Sequence, residues 1–288
     1  MTTTALISGA SSGIGREMAL LLANDGYDVV LVARRLPLLE QLATEIENTT
    51  GQRAVALRAD LSEPAGATEL ADQLHARKLH IDYLVNNAGV TLEGRYLDNT
   101  WEAQRAFVQL MALSPAELTH RLLPPMLERG HGAVLNVASL GAFWPAFPGI
   151  TLYAGAKSFL VRMTNTLAVE YANSGVTFSV ICPFTTRTAF LDGETIAPIV
   201  AKMPGFMVQS PRRVAAVGLR AVEQHKVIAH TSRLNHLLAT LLTTLPVRLV
   251  NRALVAYLSL GRDDLHITAG SRRPQGPISQ PGSDDLQA

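Results

Sequence analysis

Three residues near the middle of the chain have types and spacings that can do chemistry together. Ser139 stands before a loop of Pro, Gly and aromatic residues in SLGAFWPAFPGITLYAGAK, and Tyr153 and Lys157 follow four residues apart. On a helix such a spacing puts both side chains on one face, one turn apart. A free phenol titrates near about 10 and is a poor base at neutral pH. An adjacent ammonium group favours the phenolate, so Lys157 is expected to depress the pKa of Tyr153 and let it trade a proton with an oxygen atom. Ser139 would share the charge developing on the same oxygen. The bland alternatives are a chance Tyr-x-x-x-Lys spacing, a serine that caps a strand end, and a solvated lysine. What lies upstream decides between them.

The elements that must position these residues are legible as hydrophobic patterns. TALIS (4–8), DVVLVA (28–33), AVALRA (54–59), DYLVN (82–86), GAVLNVAS (132–139) and VTFSVIC (176–182) are nearly continuous apolar runs, as expected of parallel strands buried on both faces. Helical stretches lie between them at roughly 14–25, 37–48, 64–77, 101–129 and 153–172. This order predicts an α/β fold with a doubly wound parallel sheet and right-handed crossovers, whose ligands bind beyond the carboxyl ends of the strands. From about Gly193 the alternation is expected to stop, leaving a loop-and-helix region over the mouth of the site to about residue 225. Two amphipathic runs follow at 234–245 and 247–260, broken by Pro246. The predicted organisation is one domain: a core over 1–192, a substrate lid and C-terminal helical extension over 193–261, and a disordered tail rich in Gly, Pro, Ser and charge over 262–288.

Composition narrows the function classes. With 48% hydrophobic residues, the 288-residue chain can bury a large core. A net charge of +1, with no basic patch interleaved with aromatics, argues against nucleic acid. Cys182 is the single cysteine, which excludes an internal disulfide and a thiolate metal cluster and suits a cytoplasmic setting. The N-terminus MTTTALISGA lacks a signal-peptide pattern, and no run reaches the roughly 18 apolar residues of a membrane span. No metal site is expected.

The first predicted strand runs straight into SGASSGIGREMALLLANDG. Gly9, Gly13 and Gly15 open a helix there, and glycines let backbone amides approach a pyrophosphate at the positive helix end. Ser11 and Ser12 add hydroxyl donors, and Ile14 would anchor the helix on the sheet. After the second strand the chain reads VARR, with no acidic residue to bond a ribose 2′-hydroxyl. Arg34 and Arg35 stand instead where a 2′-phosphate would sit, so NADP(H) is expected over NAD(H), unless both are merely solvated charges at a helix start.

SGASSGIG, RADLS at 58–62, NNAG at 86–89, Ser139, the Tyr153/Lys157 pair and a Pro-containing turn after the sixth strand occur in one order over residues 3–190. Together they resemble the short-chain dehydrogenase/reductase family. The resemblance implies a Rossmann fold and an oxidoreductase that moves a hydride between NADP(H) and a ketone/alcohol pair. It further implies Tyr153 as general acid/base, Lys157 on the nicotinamide ribose and Ser139 on the substrate oxygen. Asp60 would bond the adenine amino group with Leu61 beside the ring. Asn86, Ala88 and Gly89 would line the cofactor, and Pro183 and Thr188 would lie by the nicotinamide. A homodimer or homotetramer is the expected assembly. A weakly catalytic or non-catalytic dinucleotide-binding homologue, acting as sensor or scaffold, is the alternative.

Three departures from the family pattern bear on this. The slot that usually holds an Asn in the helix after the fourth strand is Met111, and a thioether cannot donate a hydrogen bond to a proton relay. Gln109 or Ser114 would then substitute, or solvent would supply protons directly, or activity would be low. The spacing from Ser139 to Tyr153 is one residue longer than usual, and Pro183 is followed by Phe184 rather than Gly. Phe143, Trp144, Pro145, Phe147 and Pro148, with Phe184, Phe190, Met203, Phe206 and Met207, concentrate rings and thioethers at loops flanking the site. Such side chains are more often core filler than pocket wall, but their concentration here tilts the reading toward an apolar substrate such as an acyl chain, a polyketide-like intermediate or a ring ketone. For the helices within 234–260 the readings are core packing, dimerisation or peripheral membrane contact, the first two favoured because the polar face is only modestly basic.

Overall fold

The computed structural model describes residues 3–92, 94–146, 149–188, 201 and 205–259, with backbone only at 206 and 254–259. Seven parallel strands form one sheet: β1 Thr4–Ser8, β2 Asp28–Ala33, β3 Ala54–Arg58, β4 Tyr83–Asn86, β5 Gly132–Val137, β6 Val176–Cys182 and β7 Ile228–His230. Their order is β3-β2-β1-β4-β5-β6-β7, so the chain runs outward from β1 to one edge, returns, and then winds outward to the other. The switch point lies between β1 and β4, and in open sheets of this kind ligands bind in the crevice beyond the strand ends there.

The strands read as continuous apolar runs because both faces are covered. Alternate residues belong to different layers. Ala5 and Ile7, Val29 and Leu31, Tyr83 and Val85, and Leu135 pack with Met18, Leu39 and Leu219. These three come from α1 Gly13–Asn24, α2 Leu36–Thr50 and α7 Pro211–Glu223. Leu6, Val30, Leu84 and Val134 pack on the other face with Leu70, Met111 and Leu118. That face carries α3 Gly66–Ala76, α4 Trp101–Val108, α5 Ser114–Arg129 and α6 Thr151–Glu170.

Two elements differ from expectation. The stretch 101–129 is not one uninterrupted α-helix, because Gln109–Leu113 form a π-helical turn between α4 and α5. Pro115 follows directly, has no N–H for the carbonyl one turn back, and its ring would crowd that carbonyl. The alternation also continues past residue 193. Ser210 caps α7 by accepting the Arg213 amide at 3.3 Å, and Val214, Ala215, Leu219 and Val222 are buried in the α1 layer. This helix is a sheet-covering element rather than a lid, and it leads into β7. Beyond it, α8 Arg233–Thr244 and α9 Val247–Ser259 form the two C-terminal helices, and the tail from 260 lies outside the described residues.

Candidate active site

β5 ends at Val137 and delivers Ser139 in an extended conformation at the start of the 3-10 turn Leu140–Phe143. The Ser139 hydroxyl accepts the Gly141 amide at 3.0 Å and is hydrogen-bonded to the Tyr153 side chain, which rises from the first turn of α6. A Cβ on Gly141 would lie 3.3 Å from both the Ser139 hydroxyl oxygen and the Tyr153 ring, so the absent side chain gives the pair its space. Lys157, one turn on, is buried; its Nζ donates to the Val137 carbonyl at 2.8 Å and lies 5.9 Å from the centroid of the Tyr153 ring. The three residues named from spacing alone thus converge at the end of β5.

Their electrostatics reverse the expected direction. Burial pushes the Tyr153 phenol up to about 12, the Ser139 hydrogen bond pulling the other way. Burial brings Lys157 down to about 8 and drives the neighbouring Cys182 thiol up to about 12. Among the chain's own groups, desolvation sets the direction of the phenol's shift, and the depression expected from Lys157, whose ammonium lies 5.9 Å from the ring centroid, is not seen.

The glycine loop is built on close backbone approach. Gly9 and Gly13 have φ of +70° and +58°, and a Cβ on Gly15 would lie 2.5 Å from the Gly9 carbonyl. Ser12 is extended and makes no side-chain cap for α1, leaving first-turn amides of a 12-residue helix to an outside acceptor. Asn87 ties this loop to β4, its amide donating to the carbonyls of Ser8 at 2.9 Å and Gly9 at 3.3 Å. Ser8 returns the tie by accepting the amides of Asn87 and Ala88 at 2.9 and 3.1 Å. The strut of Ser8 and Asn87 escaped the sequence reading; its signal was the second Asn of NNAG beside a serine at the end of β1.

Arg35 donates to the Ser11 hydroxyl at 3.0 Å, spanning from β2 to the glycine loop. Asp60 accepts the Ser62 amide at 3.0 Å and hydroxyl at 2.6 Å. Burial would raise its pKa, but the Ser62 bonds and the charges of Arg34 and Arg58 hold it below the usual value. The Thr188 methyl lies 3.0 Å from where a Cβ on Gly13 would stand, which lays Thr188 over the loop. Ile14 packs on the α1 core layer, and the Pro183 carbonyl accepts the Leu140 amide at 2.7 Å beside Ser139. This cradle of glycines, uncapped amides, hydroxyls and guanidinium groups fits a dinucleotide phosphate chain, and Arg34 and Arg35 add positive charge at the β2 end.

Not every candidate side chain reaches the crevice. Asn86 is buried and donates to Asn136 at 2.9 Å and Thr119 at 3.2 Å within the α5 layer, so only its backbone faces the strand end. Leu61 is buried in that same layer, among core side chains rather than in the crevice. Gly89 is exposed, and Met111 packs beneath it with Sδ 3.1 Å from the position of an added Cβ. Neither proposed replacement for the missing relay is free. Ser114 donates to the Leu61 carbonyl at 2.7 Å, and Gln109 donates to Ser114 at 3.2 Å.

Phe143, Trp144, Phe184 and Met207 are half-buried around the loops after β5 and β6. The segment after β6 is strapped down by Gln209, whose amide donates to the Thr185 carbonyl and whose carbonyl accepts the Arg187 amide, each at 2.9 Å. Phe147, Pro148, Phe190 and Met203 lie outside the described residues.

Comparisons with known proteins agree with this geometry. The short chain dehydrogenase family model matches residues 3–196. A short chain dehydrogenase of Pseudocercospora fijiensis is 33% identical over 230 residues, covering 76% of this chain and 72% of that protein. The oxidoreductase UcpA of Salmonella typhimurium is 36% identical over 194 residues, or 67% of this chain and 72% of the relative. A short-chain dehydrogenase from Sphingobium yanoikuyae, solved in complex with NADPH, superposes with a TM-score of 0.73 at 26% identity, over 94% of this chain and all of that one. With its Rossmann-type sheet, its glycine cradle and a match over two-thirds of its length, the chain belongs to the short-chain dehydrogenase family of nucleotide-binding oxidoreductases.

Proposed function

We propose that the protein is an NADP(H)-dependent reductase or dehydrogenase of a ketone/alcohol pair, with Tyr153 as general acid/base. The observation that carries this reading is the meeting of Ser139, Tyr153 and Lys157 at the end of β5, beside the glycine cradle. The cofactor, when bound, supplies or accepts the hydride at the carbonyl carbon. The chain's own groups handle the oxygen. Ser139 holds it, and Tyr153, a phenol protonated at neutral pH, donates the proton as the oxygen gains charge. Lys157, at about 8, is mainly cationic at neutral pH and holds the ribose hydroxyls while steadying the tyrosine anion left behind.

Gly9, Gly13 and Gly15, with Ser11, Ser12 and the first amides of α1, hold the pyrophosphate. Arg34 and Arg35 take the 2′-phosphate, Asp60 the adenine side, Ala88 and Gly89 the adjoining ribose side, and Pro183 and Thr188 the nicotinamide side. The NADPH bound to the Sphingobium protein supports the phosphorylated cofactor. Phe143, Trp144, Phe184 and Met207 support an apolar substrate. The test is loss of NADPH absorbance against a panel of ketones, aldehydes and 3-oxoacyl thioesters. Tyr153→Phe should abolish turnover of any substrate found and leave NADPH binding within about twofold.

Met111 beneath Gly89 favours a second reading, a weakly catalytic dinucleotide-binding homologue acting as sensor or scaffold. Tight NADPH binding with no turnover across the panel would select it.

A further inference from the structure

α8 docks on the protein with the wrong residues for a core helix. Its buried positions are Asn235 and Ala239, and the Asn235 amide donates to the Thr231 hydroxyl at 2.6 Å. Leu234, Leu237, Leu241 and Leu245 lie outward along the same helix, and Val247 and Leu249 continue the apolar surface across Pro246. Leu237, Val247 and Leu249 are 54%, 58% and 56% exposed, where ordinary amphipathic packing would bury them.

The segment that carries this surface holds charge of one sign between Glu223 and Asp263. Residues 224–259 contain Lys226, Arg233, Arg248 and Arg252 and no Asp or Glu. The other 21 Lys and Arg of the chain face 24 Asp and Glu, a balance of −3. The positive charge is thus segregated onto the segment that carries the exposed leucines. Two copies of this face brought together would oppose arginine to arginine with no carboxylate on either helix pair to answer them. An anionic lipid surface offers both complements, acyl chains for the leucines and headgroup charge for the arginines.

We propose that α8 and α9 lie in the plane of an anionic membrane interface and adsorb the protein to it reversibly. Neither helix crosses the bilayer: no described helix is long and apolar enough to do so. α8 also packs on the turn Leu140–Phe143, so adsorption brings the Ser139 side of the crevice towards the lipid. The inference stands on the exposed face and its charge, independent of which cofactor or substrate the crevice takes.

The full chain is floated with vesicles of phosphatidylcholine alone and of phosphatidylcholine mixed with phosphatidylserine. The expected partition onto the mixed vesicles is on the order of 10-fold or more higher, from a few basic residues near an anionic surface, and falls as salt is raised. Leu237→Gln with Leu241→Gln should remove most of the binding to either vesicle. Arg248→Glu with Arg252→Glu should remove the preference for phosphatidylserine. Both doubly substituted proteins should keep their melting temperature and NADPH affinity, since these side chains are exposed and remote from the cradle. Absence of binding to both vesicles by the unsubstituted chain overturns the proposal. So does binding indifferent to phosphatidylserine and salt. A dimer in light scattering that Leu237→Gln with Leu241→Gln splits, with no vesicle binding, would assign the face to a second copy instead.

Discussion

In the proposed NADP(H) reading, cofactor choice rests on two exposed arginines, and their contribution can be worked out before it is measured. Arg35 already hydrogen-bonds the Ser11 hydroxyl at 3.0 Å, so its guanidinium is oriented beside the glycine loop. Arg34 lies close enough to Asp60 to lower that carboxyl's pKa. A hydrogen bond between charged partners is worth about 1.5–3 kcal/mol when shielded. Both guanidinium groups are exposed, so each is discounted to about 1 kcal/mol. Arg34→Ser with Arg35→Ser should therefore weaken NADPH by about 2 kcal/mol, or roughly 30-fold, and each single substitution by roughly fivefold. NADH lacks the phosphate and should change less than about twofold. Titration of nucleotide fluorescence for the four proteins, at low and high salt, measures all of this, and the NADPH affinity of the unsubstituted protein should show the steeper salt dependence. Equal losses for NADPH and NADH would show that the arginines hold the loop rather than the phosphate. Tighter NADH binding by the unsubstituted protein would refute the assignment outright.

Gly15→Ala places a methyl group 2.5 Å from the Gly9 carbonyl, so dinucleotide affinity should fall by at least about tenfold through displacement of the loop; calorimetric titration checks it, and unchanged affinity would mean the cradle is elsewhere. Asn87→Ala removes two bonds to the loop carbonyls and should lower stability by about 1–3 kcal/mol together with NADPH affinity. A loss of stability with intact affinity would confine Asn87 to a structural role. Lys157 titrates at about 8 in the folded chain and near about 10.4 unfolded, so between those values the unfolded state binds more protons and stability rises with pH. Relative to Lys157→Met, the native protein should gain on the order of 2–3 kcal/mol in denaturant melts from about pH 8 to pH 10. Parallel stability curves for the two proteins would show that the lysine is not desolvated.

The sheet was legible because its strands are buried on both faces: runs such as DVVLVA and VTFSVIC have no polar face to blur them. β7 was not, since three residues carry no period. The α7 pattern was visible as an amphipathic stretch behind Ser210 and Pro211. Sequence cannot say what an apolar face meets, so a sheet-covering helix was expected over the site. The π turn left a clue in Pro115, whose missing N–H disturbs the ladder around Met111. At the site, the glycines, Ser139, Tyr153 and Lys157 were fixed by spacing, because loop and helix geometry leave few places for them to go. The side chains of Asn86 and Leu61 turn into the α5 layer, a choice of face that residue type does not reveal.

The inverted pKa of Tyr153 marks where spacing stops being informative. Spacing gives proximity, and proximity to an ammonium argues for an acidic phenol. Proximity and burial arrive together here, however: the same turn of α6 that brings Lys157 to Val137 buries Lys157 and partly buries Tyr153. Desolvation disfavours charge on both, raising the phenol and lowering the ammonium. Among the chain's own groups alone, the site therefore holds Tyr153 as a phenol and Lys157 mainly as an ammonium at neutral pH. The direction of both shifts follows from how closely α6 and β5 pack, which no pair of residue identities encodes.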